Sequence, residues 1–275
     1  MNPRQIGKSL SNACLVVAHP DDEILWFSSI ISQLAGVIVC FLGQPGRPKV
    51  ALGRQSVLAN YPLDHVSSLE LEVADVYDRA RWPSPDPAPE GLALDGNRDG
   101  EVRARYLANH GRLVEALRHR LAGFNVVFTH NPWGEYGHEE HVQVYRAVRR
   151  AQAELGFELW TSAYVGTRSH ELMTRCLDGA DIESMTLETD VILARDVAER
   201  YKENGVWTWF DDYRWPERET FLRITPGRCA TPAVVPLTYL NMDRPRVALL
   251  DRSLRDLARK IGRAWCRRPA SAPYL

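Results

Sequence analysis

The feature that most constrains this chain is a short apolar run, Ala13-Cys14-Leu15-Val16-Val17-Ala18, that ends directly on a block of ionisable residues. Six consecutive apolar side chains leave no polar face, so a strand built from them is buried on both sides, as in a parallel sheet. A helical stretch from Ile24 to Leu34 follows, then a second apolar run from Val37 to Leu42. Strand, helix, strand is the unit of an α/β sheet with a right-handed crossover. The rhythm returns as a helix from about Glu101 to Leu121, a strand from Asn125 to Thr129, a helix from about His138 to Leu155 and a strand from Glu158 to Val165. The expected fold is therefore α/β: a Rossmann-like, doubly wound, mostly parallel sheet with helices on both faces. Past Thr220 the rhythm fades. A single domain over residues 1–275 is expected, with its core at about 10–225 and a C-terminal extension from about 226.

Composition removes several function classes. With 34 Lys+Arg against 35 Asp+Glu the net charge is -1, so no basic field exists to grip nucleic acid. Five cysteines without a CxxC pair argue against a disulfide or structural-zinc framework. Residues 1–12 are polar and the longest apolar stretch is far too short to span a bilayer. A reduced, cytoplasmic protein is the expectation. The proline-dense segment from Arg81 to Gly100 reads as a long surface loop, with a lid as its sharper use.

The chemistry sits in two clusters. Directly after the first strand stands His19-Pro20-Asp21-Asp22-Glu23. A helix start explains the proline and the acids, since Pro lacks the N–H that would go unpaired and carboxylates favour the helix dipole, but it leaves His19 unexplained. The second cluster, Asn131 to His141, lies between a strand and a helix and places His138 and His141 three residues apart on one face. An HxxH pair alone is a weak signal. Two such clusters at equivalent strand ends strengthen each other, because both loops open onto one crevice if their strands are neighbours where strand order reverses. There His19, Asp22 and His141 supply three ligands and leave a fourth position for water, as in a catalytic rather than a structural zinc site.

Ala18-His19-Pro20-Asp21-Asp22-Glu23 together with Tyr136-Gly137-His138-Glu139-Glu140-His141 resembles the PIG-L/LmbE-like zinc-dependent N-deacetylases over roughly the first 165 residues. The resemblance implies His19, Asp22 and His141 as metal ligands, Asp21 as general base, His138 as a group that steadies the transition state and Tyr136 as a partner of the developing oxyanion. It implies Zn2+ as cofactor, with Fe2+ or another divalent ion as the alternative. The substrate it implies is a glycan, glycolipid or glycosylated small molecule carrying an N-acetyl amino sugar. Two departures bear on substrate contacts: where the family often has a Thr-x-Gly-Glu-like turn and an Arg-x-x-Glu pair, this chain has Leu42-Gly43-Gln44-Pro45-Gly46-Arg47 and an isolated Arg54. Arg54 is a weak candidate for a substrate hydroxyl or phosphate, with a solvated helix arginine as the plainer reading. Trp133, inside the second cluster, has the better claim to touch substrate. Glu23 and Glu140 stand next in line as bases.

Other signals carry less. Gly7-Lys8-Ser9 lacks the first glycine and the preceding strand of a P-loop, and Asp95 to Gly100 starts like a calcium loop but has Tyr106 where a bidentate Glu is required. His130 is a rival ligand better read as a supporting histidine. Trp207, Trp209, Phe210, Tyr213 and Trp215 read first as packing and second as the wall of a sugar pocket. From Arg246 to Arg268 an apolar stripe among arginines fits a packed terminal helix, and alternatively a peripheral contact with an anionic membrane. Two further functions compete with N-acetyl hydrolysis: an amidase for another acyl group or thiol conjugate, and a catalytically silent sugar-binding protein.

Overall fold

The computed structural model describes residues 10–95, 100–225, 235–240 and 242. The chain divides into two compact units, Met1–Leu240 and Asn241–Leu275. The terminal basic stretch, Gly7-Lys8-Ser9 and most of the calcium-like turn lie outside the described residues. Among those described, no helix is long and apolar enough to cross a membrane.

Both early apolar runs are strands, β1 (Ala13–Val17) and β2 (Gly36–Gly43), and β1 is buried at every residue. Next come α1 (Asp22–Trp26, between β1 and β2), α2 (Pro48–Ala59), β3 (Val66–Glu72), a two-residue hairpin β4 (Pro87–Ala88) and β5 (Gly91–Leu92), and α3 (Gly100–Arg120). The remainder runs β6 (Val126–Thr129), α4 (Glu139–Leu155), β7 (Glu158–Ser162), β8 (Tyr164–Gly166), α5 (His170–Leu177), β9 (Asp181–Glu188), α6 (Val191–Glu203), β10 (Arg218–Thr225) and β11 (Thr238–Leu240). The seven-stranded sheet has the order β3-β2-β1-β6-β7-β10-β9. Its first five strands are parallel, and β10 pairs antiparallel with both β7 and β9.

Cys14 and Val16 of β1 pack with Val127 of β6, Leu113 and Leu117 of α3, and Val144 and Val148 of α4. Leu15 and Val17, on the opposite pleat, are equally buried. Chain order leaves β1 toward β2 and β3 on one side and toward β6 and β7 on the other, so strand order reverses at the β1/β6 pair. The loops leaving these two strands open onto a single crevice, as in other open α/β sheets.

Three departures from the sequence reading have physical causes. Ile24 to Leu34 is not one helix: α1 stops at Trp26 and a single 3-10 turn follows at Ile31–Gln33. The buried carboxylate of Glu219 captures the Ser28 and Ser29 N–H groups and the Ser28 hydroxyl, at 3.3, 2.8 and 2.9 Å, so the backbone there is not free to continue the helix. Glu158 to Val165 breaks at Ala163 into β7, paired with β10, and β8, paired with β11. The described part of the proline-dense segment, residues 81–95, is more than a plain surface loop and carries the β4/β5 hairpin. Leu92 is buried, Ala80 bridges Leu94, and the carboxylate of Glu139 accepts from the amides of Asp78, Arg79 and Ala80 and from the Trp82 indole.

Candidate metal centre and active site

The turn after β1 gives its two aspartates different tasks. Asp21 sits in the left-handed region (φ 92°), rare for a residue with a side chain, and its amide donates to Glu23 Oε2 at 2.9 Å. Its Oδ2 accepts from the Thr208 amide at 3.2 Å and the Thr208 hydroxyl at 2.6 Å. Asp22 faces the histidines instead. Its Oδ2 accepts from the His19 amide at 2.7 Å and lies 3.4 Å from each of His19 Nδ1, His130 Nε2 and His141 Nε2. Burial alone would raise the Asp22 carboxyl, but His141, His130 and His19 outweigh it and hold the group well below the usual range.

The second loop leaves β6 and turns at Gly134 (φ 69°), where a Cβ would come within 2.5 Å of the His138 carbonyl oxygen. That turn delivers His138 as the N-cap of α4, its Nδ1 accepting from the Glu140 amide at 3.2 Å. His141 follows one turn of helix later. Potential ligand atoms converge in two overlapping groups, His19 with His138 and His141, and Asp22 with His130 and His141.

Each proposed ligating imidazole has a carboxylate behind it. His19 Nε2 meets Glu140 Oε2 at 2.8 Å, and His141 Nδ1 donates to Glu135 Oε2 at 2.7 Å. That arrangement fixes the tautomer of a metal-bound histidine and raises its basicity. The remaining nitrogen of His141, Nε2, is buried and makes no hydrogen bond, an arrangement costly for a polar atom without a ligand. Burial lowers the pKa of His141, favouring the neutral form that a ligand must have. Burial also opposes charge on His19, but its hydrogen bonds to Asp22 and Glu140 outweigh it and raise the group to about 9. The same carboxylates favour a cation in that proton's place, since a ligating imidazole must give its proton up. On these counts His19, Asp22 and His141 fit a divalent metal.

His130 is engaged at both nitrogens. Nε2 accepts from the Ala18 amide at 2.8 Å and Nδ1 donates to Glu135 Oε2 at 3.0 Å, while its ring stacks on His141 at 3.9 Å. It supports the neighbouring imidazole, and no lone pair is left for a metal. Glu135, which the sequence reading missed, is the hub: its Oε2 holds both rings and its Oε1 accepts from the Asn131 amide and the Ser162 hydroxyl. Burial would raise its carboxyl, but His130 and His141 bring it down to about 2. The signal available was a carboxylate six residues before a candidate ligand histidine, set between two glycines. Glu135→Gln should weaken metal binding by about 10–100-fold, the usual cost of losing a ligand's carboxylate partner, measured by titration against a chelator of known affinity.

Tyr136 stands at the crevice, its ring 5.5 Å from that of His141 and 5.9 Å from that of His138. Burial and nearby Asp22 raise its pKa well above the ordinary value, so its hydroxyl remains a donor. Glu23 and Glu140, the reserve bases, are already committed. Glu23 accepts from Tyr61, Tyr201 and the Asp21 amide, and Glu140 from His19 and the Ala74 amide.

The two candidate substrate residues come out differently from their sequence reading. Trp133 is 0% exposed, donates its indole N–H to the Tyr164 carbonyl at 2.7 Å and packs against Val142, Ala163 and Val165. It cannot touch a substrate, because its loop turns the ring inward under the crevice. Trp133→Ala should cost about 3–5 kcal/mol of stability, read by urea denaturation, with metal content retained in the folded fraction. Arg54 is buried rather than solvated, with Nη1 donating to the Leu42 carbonyl at 3.2 Å at the end of β2. Its positive charge opposes the upward shift of Asp21.

Fold and site together define an α/β protein with a cluster of histidines and an aspartate that could hold a metal ion at the reversal point of its sheet. The sequence profile of the PIG-L family, described as GlcNAc-PI de-N-acetylase, matches residues 14–152, just over half of the chain. The chain belongs to that family. It is 31% identical over 168 residues to the 1D-myo-inositol 2-acetamido-2-deoxy-alpha-D-glucopyranoside deacetylase of Mycobacterium sp. (strain KMS), covering 53% of each chain. Against the deacetylase 1 of that description from Saccharopolyspora erythraea it is 28% identical over 164 residues, 51% of this chain and 53% of the relative. The chain thus spans about half the length of the curated relatives it matches. A deacetylase crystallised with teicoplanin superposes with a TM-score of 0.48 at 12% identity, over 79% of this chain and 99% of that one.

Proposed function

We propose that this chain is a metal-dependent hydrolase that removes the N-acetyl group from an amino sugar. The observation that carries the reading is His141 Nε2, a buried nitrogen without a hydrogen bond, 3.4 Å from Asp22 and backed by Glu135. A divalent cation held by His19, Asp22 and His141, zinc by the character of the donors and ferrous iron as the alternative, would acidify water and polarise the amide carbonyl.

The other roles follow from this chain's own groups. Burial and the charge of Asp22 raise the Asp21 carboxyl to about 7, which suits a group that takes a proton from water near neutrality and returns it. Because His138 Nδ1 accepts from the Glu140 amide, the neutral ring carries its proton on Nε2. Burial, with His141 and His19 close by, favours that neutral form. His138 and the Tyr136 hydroxyl are thus donors for the charge that develops on the acyl oxygen. Asp21 then protonates the departing amine. The relatives' substrate, a 2-acetamido-2-deoxy-glucopyranoside, supports a 2-acetamido sugar as the substrate class here.

Acetate release from 2-acetamido-2-deoxy-glucosides, assayed as purified, after chelation and after reloading with zinc or ferrous iron, tests the reading. Metal-dependent release is expected. A fully metal-loaded chain that cleaves only larger acyl groups would make it an amidase instead, and a chain that binds no metal would make it catalytically silent.

A further inference from the structure

The aromatic stretch after α6 has no part in the roles above, yet it reaches Asp21. Trp207 and Trp209 are buried while Thr208 between them is exposed, so of the three the threonine alone stands out of the core. Each neighbour is anchored. Trp209 packs edge-on against Trp26 at 5.2 Å and lies 5.1 Å from Tyr136, and Lys202 Nζ sits 5.8 Å from the ring of Trp207. Val206, just upstream, is also buried and approaches α2 so closely that a Cβ on Gly53 would come within 2.7 Å of it. The Trp-Thr-Trp triplet is therefore a rigid mount for one side chain.

That side chain meets Asp21. Both donors of Thr208, N–H and Oγ1–H, converge on Oδ2, whereas Oδ1 accepts no hydrogen bond among the described residues. From this we infer that Thr208 is a positioning residue for the base: it occupies Oδ2, fixes the plane of the carboxylate and leaves Oδ1 as the oxygen that faces water. The inference rests on the proposed function for its kinetic consequence and on geometry alone for its structural one. Charge-assisted hydrogen bonds to a carboxylate are short and directional, so losing the hydroxyl frees a rotation that proton transfer cannot tolerate. Thr208 also explains why the bulky aromatics sit where they do, 187 residues away in sequence from the turn they serve.

The test compares Thr208→Val, which keeps the shape and the N–H but removes the hydroxyl, with Thr208→Ser, which keeps both donors. Thr208→Val should lower kcat by about tenfold, within the range for a hydrogen bond to a charged group, with KM and metal content unchanged, and Thr208→Ser should restore the rate. A Val variant at the wild-type rate overturns the inference. So does a loss that comes with loss of metal or that Ser fails to rescue, because that pattern marks general damage to the fold. Crystal structures of the two variants give a readout independent of turnover: the Asp21 carboxylate should rotate in the Val variant and hold its place in the Ser variant, and an unmoved carboxylate in the Val variant overturns the inference. Should the wild-type chain release no acetate from any 2-acetamido sugar, the functional reading falls and the crystal comparison still decides the role of Thr208.

Discussion

His141→Ala should purify without the divalent ion that the wild-type chain carries, one per chain by elemental analysis. Among the described residues His141 is the group shared by both clusters of convergent ligand atoms, and its Nε2 is the ligand nitrogen left without a hydrogen bond. Removing it leaves Asp22 and His19, too few to hold zinc in an open site. His19→Ala and Asp22→Ala should lose the ion for the same reason. His130→Ala makes the control: its Nε2 is spent on the Ala18 amide, so that variant should keep a measurable, though weaker, metal site. A second readout is thermal. An ion at 100 times its Kd stabilises the native state by about 2.7 kcal/mol, so a chelator should lower the Tm of the wild type and leave that of His141→Ala unchanged. Metal retained at full stoichiometry in all three ligand variants would place the site elsewhere.

The candidate ligands could be named from the chain because they lie in two short, contiguous segments, each hung on a strand whose apolar run is unmistakable. The parallel core strands β1, β2 and β6 carry continuous or near-continuous apolar runs. Strand β3 was hidden because Val-Ser-Ser-Leu-Glu-Leu-Glu lies at the sheet edge, where burial is partial and the apolar signal thins out. The antiparallel pair β9 and β10 was hidden for a related reason: their half-exposed residues mix Ser, Thr, Glu and Arg into the strand pattern. The supporting shell was hardest to see. Glu135 holding two imidazoles, Glu219 ending a helix 191 residues away and Thr208 gripping Asp21 are contacts of long sequence separation, and nothing local marks a carboxylate or a hydroxyl as a partner rather than a surface group. Arg54 and Trp133 show the same limit from the other side. Their residue types allowed a crevice role, and only the packing of α2 and of the turn at Gly134 decided which way each side chain runs.

Asp21→Asn should keep its metal and lose about 10²–10⁴-fold in kcat, the usual range for removing a general base. The substitution is close to isosteric, and the amide oxygen can accept the two Thr208 hydrogen bonds in place of Oδ2. Its NH2 group then falls where Oδ1 was, presenting a donor at the position that must take up a proton. The geometry of the turn is thereby preserved and the deficit falls on proton transfer alone. No neighbour is free to substitute. Glu23 is held by Tyr61, Tyr201 and the Asp21 amide, and Glu140 by His19 and the Ala74 amide, so recruiting either would break buried hydrogen bonds. Single-turnover measurement of acetate release from a 2-acetamido-2-deoxy-glucoside, with metal content determined on the same sample, separates loss of the base from loss of the ion. Wild-type turnover in metal-loaded Asp21→Asn would remove Asp21 from the chemistry and require the proton to be taken up by a group outside the committed carboxylates.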